Sequence, residues 1–171
     1  MFLWDRTHVA SFLRKPFGTL TTLRPPPRPG SVGFAAWRQL TKLNNVAFRA
    51  TGGRLGGSFD GNPVLLLHHV GRRSGEPRVT PLIYLPDGDD LIVVGSMGGT
   101  PKDPAWVHNL RARPDIEVEL GRERRAVHAH IADAAERARL WPLLVDRHPA
   151  FAAYQERTER EIPVVILASR G

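Results

Sequence analysis

Residues 63–106 read PVLLLHHVGRRSGEPRVTPLIYLPDGDDLIVVGSMGGTPKDPAW. Three apolar, β-rich runs stand here one after another, at 63–70, 79–85 and 90–95, each bounded by turn residues. Asp87 and Gly88 form a turn signal between the second and third runs, so the three are expected to pair as antiparallel strands. Working outward, 116–120 and 123–131 read as a further hairpin around Gly121, 134–147 has helical composition ending near Pro149, and 162–167 reads as a closing strand. Upstream, Phe34, Trp37, Leu40, Val46 and Phe48 recur at spacings that fit one helix or two over 33–49, which Gly52 and Gly53 would end. The TGGRLGG stretch at 51–57 reads as a flexible connection.

The chemistry gathers in two loops that leave these strands. GRRSGEPR, residues 71–78, delivers Arg72, Arg73 and Arg78 to one rim. Guanidinium groups keep their charge and offer planar forks to phosphate or carboxylate oxygens, at roughly 1.5–3 kcal/mol for each well-made contact. The second loop, GSMGGTPKDPAW, residues 95–106, supplies Ser96, Met97, Gly98 and Gly99, where backbone amides can approach an anion closely, and Lys102 adds a charge. Asp103 and Pro104 look like a helix N-cap and first residue, with Trp106, Asn109, Leu110 and Arg113 following near one face. Neither the P-loop spacing nor GxGxxG is present, so each loop alone is a weak signal. Together they suit an anionic, phosphate-bearing ligand.

These motifs, with HPAFAAYQERTEREIPVVIL at 148–167, resemble the deazaflavin-dependent nitroreductases and quinone reductases of actinobacteria, and the resemblance spans 63–167. It implies an α+β fold, a split β-barrel of the FMN-binding, pyridoxamine-phosphate-oxidase-like kind with flanking helices. It also implies an oxidoreductase in which reduced coenzyme F420 passes hydride to a quinone, a nitroaromatic or another conjugated acceptor. By the same resemblance Arg72, Arg73, Ser74 and Arg78 lie near the cofactor's anionic arm and Thr80 and Pro81 beside its ring. Ser96, Met97, Gly98, Gly99, Lys102, Trp106 and Asn109 would line the other wall. Ile83, Val107, Phe151 and Tyr154 would meet the acceptor, and Tyr154 or His148 could supply a proton, unless solvent does. The chain departs from many relatives at Arg73 and Met97, where they carry lysine, and at Ile83, Val107, His148 and Phe151, where they carry tyrosine. Two other readings stay open: an FMN-binding split-barrel reductase, and a non-enzymatic F420-binding or membrane-surface protein.

Composition narrows the partners. With 171 residues, 42% hydrophobic and 24% charged, the chain fits a single globular domain, expected over 31–171, preceded by an arm and Pro-rich linker over 1–30. A net charge of +7 favours anionic partners, but no recognition helix, zinc spacing or aromatic surface points to nucleic acid. The absence of cysteine and of a signal-peptide core fits a cytoplasmic protein. In the arm, Val9, Phe12, Leu13, Phe17 and Leu20 recur near helical spacing, so residues 1–24 are expected to lie on a membrane surface or pack on protein, and a homodimer is an open possibility. No metal site is expected: His68 and His69 should point to opposite faces of a strand, and His128 and His130 lack a third ligand. Ser74 and Ser96 lack the neighbours of a covalent nucleophile.

Overall fold

The computed structural model describes residues 31–170. Within them the elements run α1 (Val32–Thr51), β1 (Ser58–Phe59), β2 (Asn62–Val70), β3 (Pro77–Asp87), β4 (Asp90–Val94), α2 (Ala105–Ala112), β5 (Asp115–Leu120), β6 (Glu123–Ile131), α3 (Ala134–Arg147), α4 (Ala150–Glu156) and β7 (Val164–Ser169). The N-terminal arm expected over 1–30 lies outside the described residues. Six strands pair antiparallel in the order β2-β3-β4-β7-β6-β5, and β5 returns to β2 through Leu66↔Glu119, Leu67↔Val118 and His68↔Glu117. The sheet therefore closes into a split β-barrel with helices around it, which leaves no open edge along those strands.

Side-chain alternation explains why β4 is apolar at every position from Leu91 to Val94. Leu91 and Val93 point into the barrel with Leu65, Leu67, Val118, Val127, Val165 and Leu167. Ile92 and Val94 point outward beneath α3 and α4, against Leu140, Leu144, Phe151 and Tyr154. Each such side chain, fully buried, contributes about 1.5–3 kcal/mol. Inside the barrel, Trp106, Val107 and Leu110 of α2 join the core and plug it. β6, by contrast, alternates between exposed and buried positions because its outer face meets solvent.

Helix ends and connections differ in places from the expectation. Asp103 does not cap α2; the N-cap is Pro104, without a side-chain hydrogen bond, and Asp103 is ion-paired with Arg160 and Arg111 instead. The connection after α1 does more than link: β1 pairs with the start of β2 through Ser58↔Pro63. The closing strand starts at Val164 rather than at 162, and the short helix α4 precedes it. α3 spans the expected residues and starts with a reciprocal capping box, in which Glu136 N–H donates to Asp133 Oδ1 and Asp133 N–H donates to Glu136 Oε2, both at 2.8 Å.

α1 is held on the barrel by its C-terminal turns. Phe48 is fully buried, Asn45 Nδ2 donates to the Val79 carbonyl at 3.4 Å, and Arg49 forks onto Glu119 at 2.9–3.0 Å. His68 and Arg124 meet the same carboxylate; burial opposes ionisation, but the hydrogen bonds from Arg49 and His68 outweigh it, so the Glu119 carboxyl lies below its ordinary range. On the opposite side of α1, Leu40, Leu43 and Val46 are 63–65% exposed.

Candidate active site

β2 and β4 are each antiparallel to β3, so they run in the same direction, β2 ending beside Pro77 and β4 near Tyr84 of the long strand β3. The first loop, 71–76, reaches the helix that follows the second loop, 95–104, through Arg72 and Asn109. Arg72, Arg73, Ser74 and Arg78 are exposed on the first loop, and Lys102 is exposed on the second. Arg78 Nη2 lies 3.5 Å from Ser74 Oγ. Arg72, Arg73, Arg78 and Lys102 have no carboxylate partner among the described residues, whereas Arg49, Arg111, Arg124, Arg137, Arg139 and Arg160 are all ion-paired. Exposed, unneutralised cations of this kind favour an anion.

The second loop is tightly wound and stapled from behind. Gly99 sits at φ +80° against α4, where an added Cβ would fall 2.5 Å from the Tyr154 carbonyl oxygen. Met97 takes φ +45°, a left-handed conformation that a non-glycine residue rarely adopts. The staple is Arg160, a residue the sequence reading does not single out. Its guanidinium donates to the carbonyls of Thr100 at 2.8 Å, Gly95 at 3.0 Å and Ser96 at 3.0 Å, and to Asp103 Oδ1 at 2.9 Å. One half-buried fork thus satisfies three of the loop's carbonyls, while Met97, Gly98 and Thr100 remain partly exposed.

Beneath the first loop a chain of polar side chains closes the barrel mouth. Arg72 N–H donates to Asn109 Oδ1 at 2.9 Å, Asn109 Nδ2 meets His69 Nδ1 at 2.9 Å, and His69 Nε2 meets Thr80 Oγ1 at 3.0 Å. Asn109 and His69 are each only 5% exposed. Burial, followed by Arg78 and His68, pushes the His69 imidazole down to about 4. As expected, His68 and His69 point apart, His68 to Glu119 outside the barrel and His69 inward. His128 and His130 pair separately with Asp115 and Glu136.

The residues assigned to the acceptor divide between two places. Ile83 and Phe151 line one small cavity with Asn62, Leu85, Ile92 and His148 on the outer face of the barrel, and Tyr154 packs edge-on to Phe151 at 6.4 Å. Val107 is fully buried within the barrel core instead, in the cluster that contains Trp106. Thr80 and Pro81 are half-buried on β3, and Ser96 is buried at the start of the second loop. His148 is 5% exposed and stacks edge-on to Phe151 at 4.8 Å. Its Nδ1 lies 3.3 Å from Asn62 Nδ2, which also donates to the Asp60 carbonyl, so Nδ1 accepts and the ring proton sits on Nε2. Nε2 is buried without a partner among the described residues, and burial pushes this imidazole below its ordinary value. His148 is therefore a neutral N–H donor.

Comparison with known proteins agrees with this architecture. Residues 40–169 match the model of the family described as F420H(2)-dependent quinone reductase. An F420H(2)-dependent quinone reductase of Mycobacterium tuberculosis (strain ATCC 25618 / H37Rv) is 41% identical over 136 residues, which cover 77% of this chain and 91% of the relative. Among solved structures, an F420-H2 dependent reductase named FDR-A superposes with a TM-score of 0.57 at 35% identity, over 61% of this chain and 93% of that one. A chain described as a domain-swapped dimer superposes with a TM-score of 0.58 at 29% identity, over 78% of this chain and 98% of that one. The protein belongs to the F420H(2)-dependent quinone reductase family.

Proposed function

We propose that the rim of Arg72, Arg73, Arg78 and Lys102 takes the anionic tail of reduced coenzyme F420 and that the groove beside Thr80, Ser96 and Gly99 holds its ring. The protein is an F420H2-dependent oxidoreductase, and its reaction is hydride transfer to a quinone. The single observation behind the placement is that the exposed cations of the two loops have no carboxylate partner among the described residues, while Arg72 ties the first loop to the helix behind the second. When bound, F420 supplies the hydride from its ring C5. The residues present suit that group: exposed guanidinium forks on the first loop and a partly exposed, positive-φ glycine backbone at Gly98 on the second.

The protein contributes orientation and exclusion of water, which together lower the barrier without a side chain entering the bond-making step. The acceptor's oxygen needs a hydrogen-bond donor and then a proton. His148, fixed as the Nε2–H tautomer by Asn62, serves as a neutral donor that polarises an acceptor carbonyl, and the proton itself comes from Tyr154 or solvent. Nitroaromatics enter as alternative flat acceptors against Ile83 and Phe151. The exposed apolar side of α1 is the face on which a second copy would pair, and residues 1–24 would bring the enzyme to a membrane surface.

Equilibrium dialysis against F420 tests the placement. Replacing Arg72 and Arg73 together by alanine should weaken binding by roughly 10- to 100-fold, an effect reduced in high salt. Undiminished binding in that variant, or tighter binding of FMN than of F420 by the unaltered protein, would overturn it. Tyr154→Phe and His148→Ala that each turn over quinone at the unaltered rate across pH would remove both from the reaction.

A further inference from the structure

We propose that His69 is a positioning residue that holds the two loops of the groove in register, and that it does so only as a neutral imidazole protonated on Nε2. This rests on the reading of the rim as the site of F420's anionic tail.

The polarity of the contacts starts at a peptide group. Arg72 N–H can only donate, so the Asn109 atom 2.9 Å away is Oδ1, and the other end of that amide is the donor Nδ2. Nδ2 faces His69 Nδ1 at 2.9 Å, which must then offer a lone pair. The ring proton is left on Nε2, 3.0 Å from Thr80 Oγ1, which accepts. Thr80's own hydroxyl proton is thereby turned away from the imidazole. Turning the amide over would set its NH2 against the Arg72 N–H and its oxygen against the Nδ1 lone pair, and turning the ring over would put carbon in place of both nitrogens; with His69 and Asn109 each 5% exposed, water does not repair the mismatch.

The four members come from four different places. Arg72 belongs to the first loop, Asn109 to the helix that follows the second loop, His69 to the end of β2 and Thr80 to β3. A single buried ring therefore ties together the backbone of the arginine loop, the helix behind the glycine loop and the strand beside the ring site. The titratable groups acting on His69 are Arg78 and His68, and both oppose a second proton on it. A polar residue that merely filled the barrel mouth would have no need of this directed order.

Two substitutions separate the ends of the chain. Glutamine brings an amide nitrogen near the place of Nε2, keeping the donor to Thr80 and losing the acceptor for Asn109. Asparagine brings its oxygen near the place of Nδ1, keeping that acceptor and losing the donor. Binding is measured for F420 and for its tail-free chromophore, 8-hydroxy-5-deazariboflavin, with a thermal melt of each variant as the folding control. His69→Gln should reduce the preference for F420 over the tail-free chromophore about fivefold to tenfold, whereas His69→Asn should leave that preference within twofold. Equal effects of the two variants on the preference would overturn the proposal.

A second measurement needs no ligand and no variant. Long-range 15N–1H spectra of the labelled protein at pH 7 should show His69 as the Nε2–H tautomer, and the Arg72 amide should exchange slowly with solvent. An Nδ1–H or doubly protonated ring, or an Arg72 amide whose exchange His69→Gln leaves unchanged, would overturn the positioning role. If the unaltered protein binds no F420 while tautomer and exchange are as stated, the assignment of the tail site fails and the role of His69 stands.

Discussion

Replacing Gly99 by alanine should damage the protein far more than replacing Gly75, although both glycines sit in rim loops and both have positive φ. At Gly75, φ is +69° and an added Cβ meets nothing within 4 Å, so the cost is that of a left-handed alanine, about 1 kcal/mol. At Gly99, φ is +80° and the new Cβ falls 2.5 Å from the Tyr154 carbonyl oxygen and 2.9 Å from Arg157 Cβ. That carbonyl is part of α4 and accepts from Arg157 N–H, and the Tyr154 ring is buried against Phe151, so α4 cannot retreat without unpacking its core face. Overpacking of this kind adds about 1–3 kcal/mol to the conformational cost, for a total of about 2–4 kcal/mol. In a domain of this size, Tm should fall by about 2–4 °C for Gly75→Ala and by about 5–15 °C for Gly99→Ala. Scanning calorimetry of the two variants side by side reads the difference directly. Midpoints within about 2 °C of each other would refute the claim that the glycine loop is wedged against α4.

Other outcomes follow from the same geometry. Met97→Lys places a cation in a loop whose only other cation is Lys102 and should raise F420 affinity about fivefold in dialysis, the gain shrinking as salt is added. Arg160→Ala strips the donors from three carbonyls and leaves Asp103 with Arg111 as its remaining cation; urea unfolding should show a loss of about 2–4 kcal/mol, with Arg160→Lys intermediate. For His69, the folded-state value near 4 lies below the unfolded 6.5, so the neutral ring stabilises the fold fully above pH 6.5 and the contribution is lost as pH falls toward 4. At about 1.4 kcal/mol per pH unit the loss amounts to about 3 kcal/mol, and urea midpoints at pH 7.5 and 4.5 should converge for His69→Asn relative to the unaltered protein.

The strands were legible because burial on both faces writes an unbroken apolar run such as Leu91 to Val94, and α3 was legible from its composition and its stop before Pro149. Barrel closure was not, since the β2–β5 pairing joins Leu66 to Glu119 across a long separation that no local pattern records. The cations of the rim could be read directly, because charge with no local partner shows in a loop sequence. Arg160, Asn62 and His69 could not: each matters through groups far along the chain, and a lone arginine in TEREIP or a histidine in a strand carries no mark of what it will touch. Asp103 misled for a related reason. An aspartate before proline is locally a helix cap, but the distant Arg160 and nearby Arg111 claim its carboxylate.

β7 is the last element of the chain, yet it sits between β4 and β6 in the barrel, and the Arg160 staple lies just ahead of it. A nascent chain that has released everything up to α4 still lacks the slat that completes the wall and the fork that shapes the glycine loop. Truncation before residue 160 would therefore remove the completed wall and the shape of the glycine loop in one stroke.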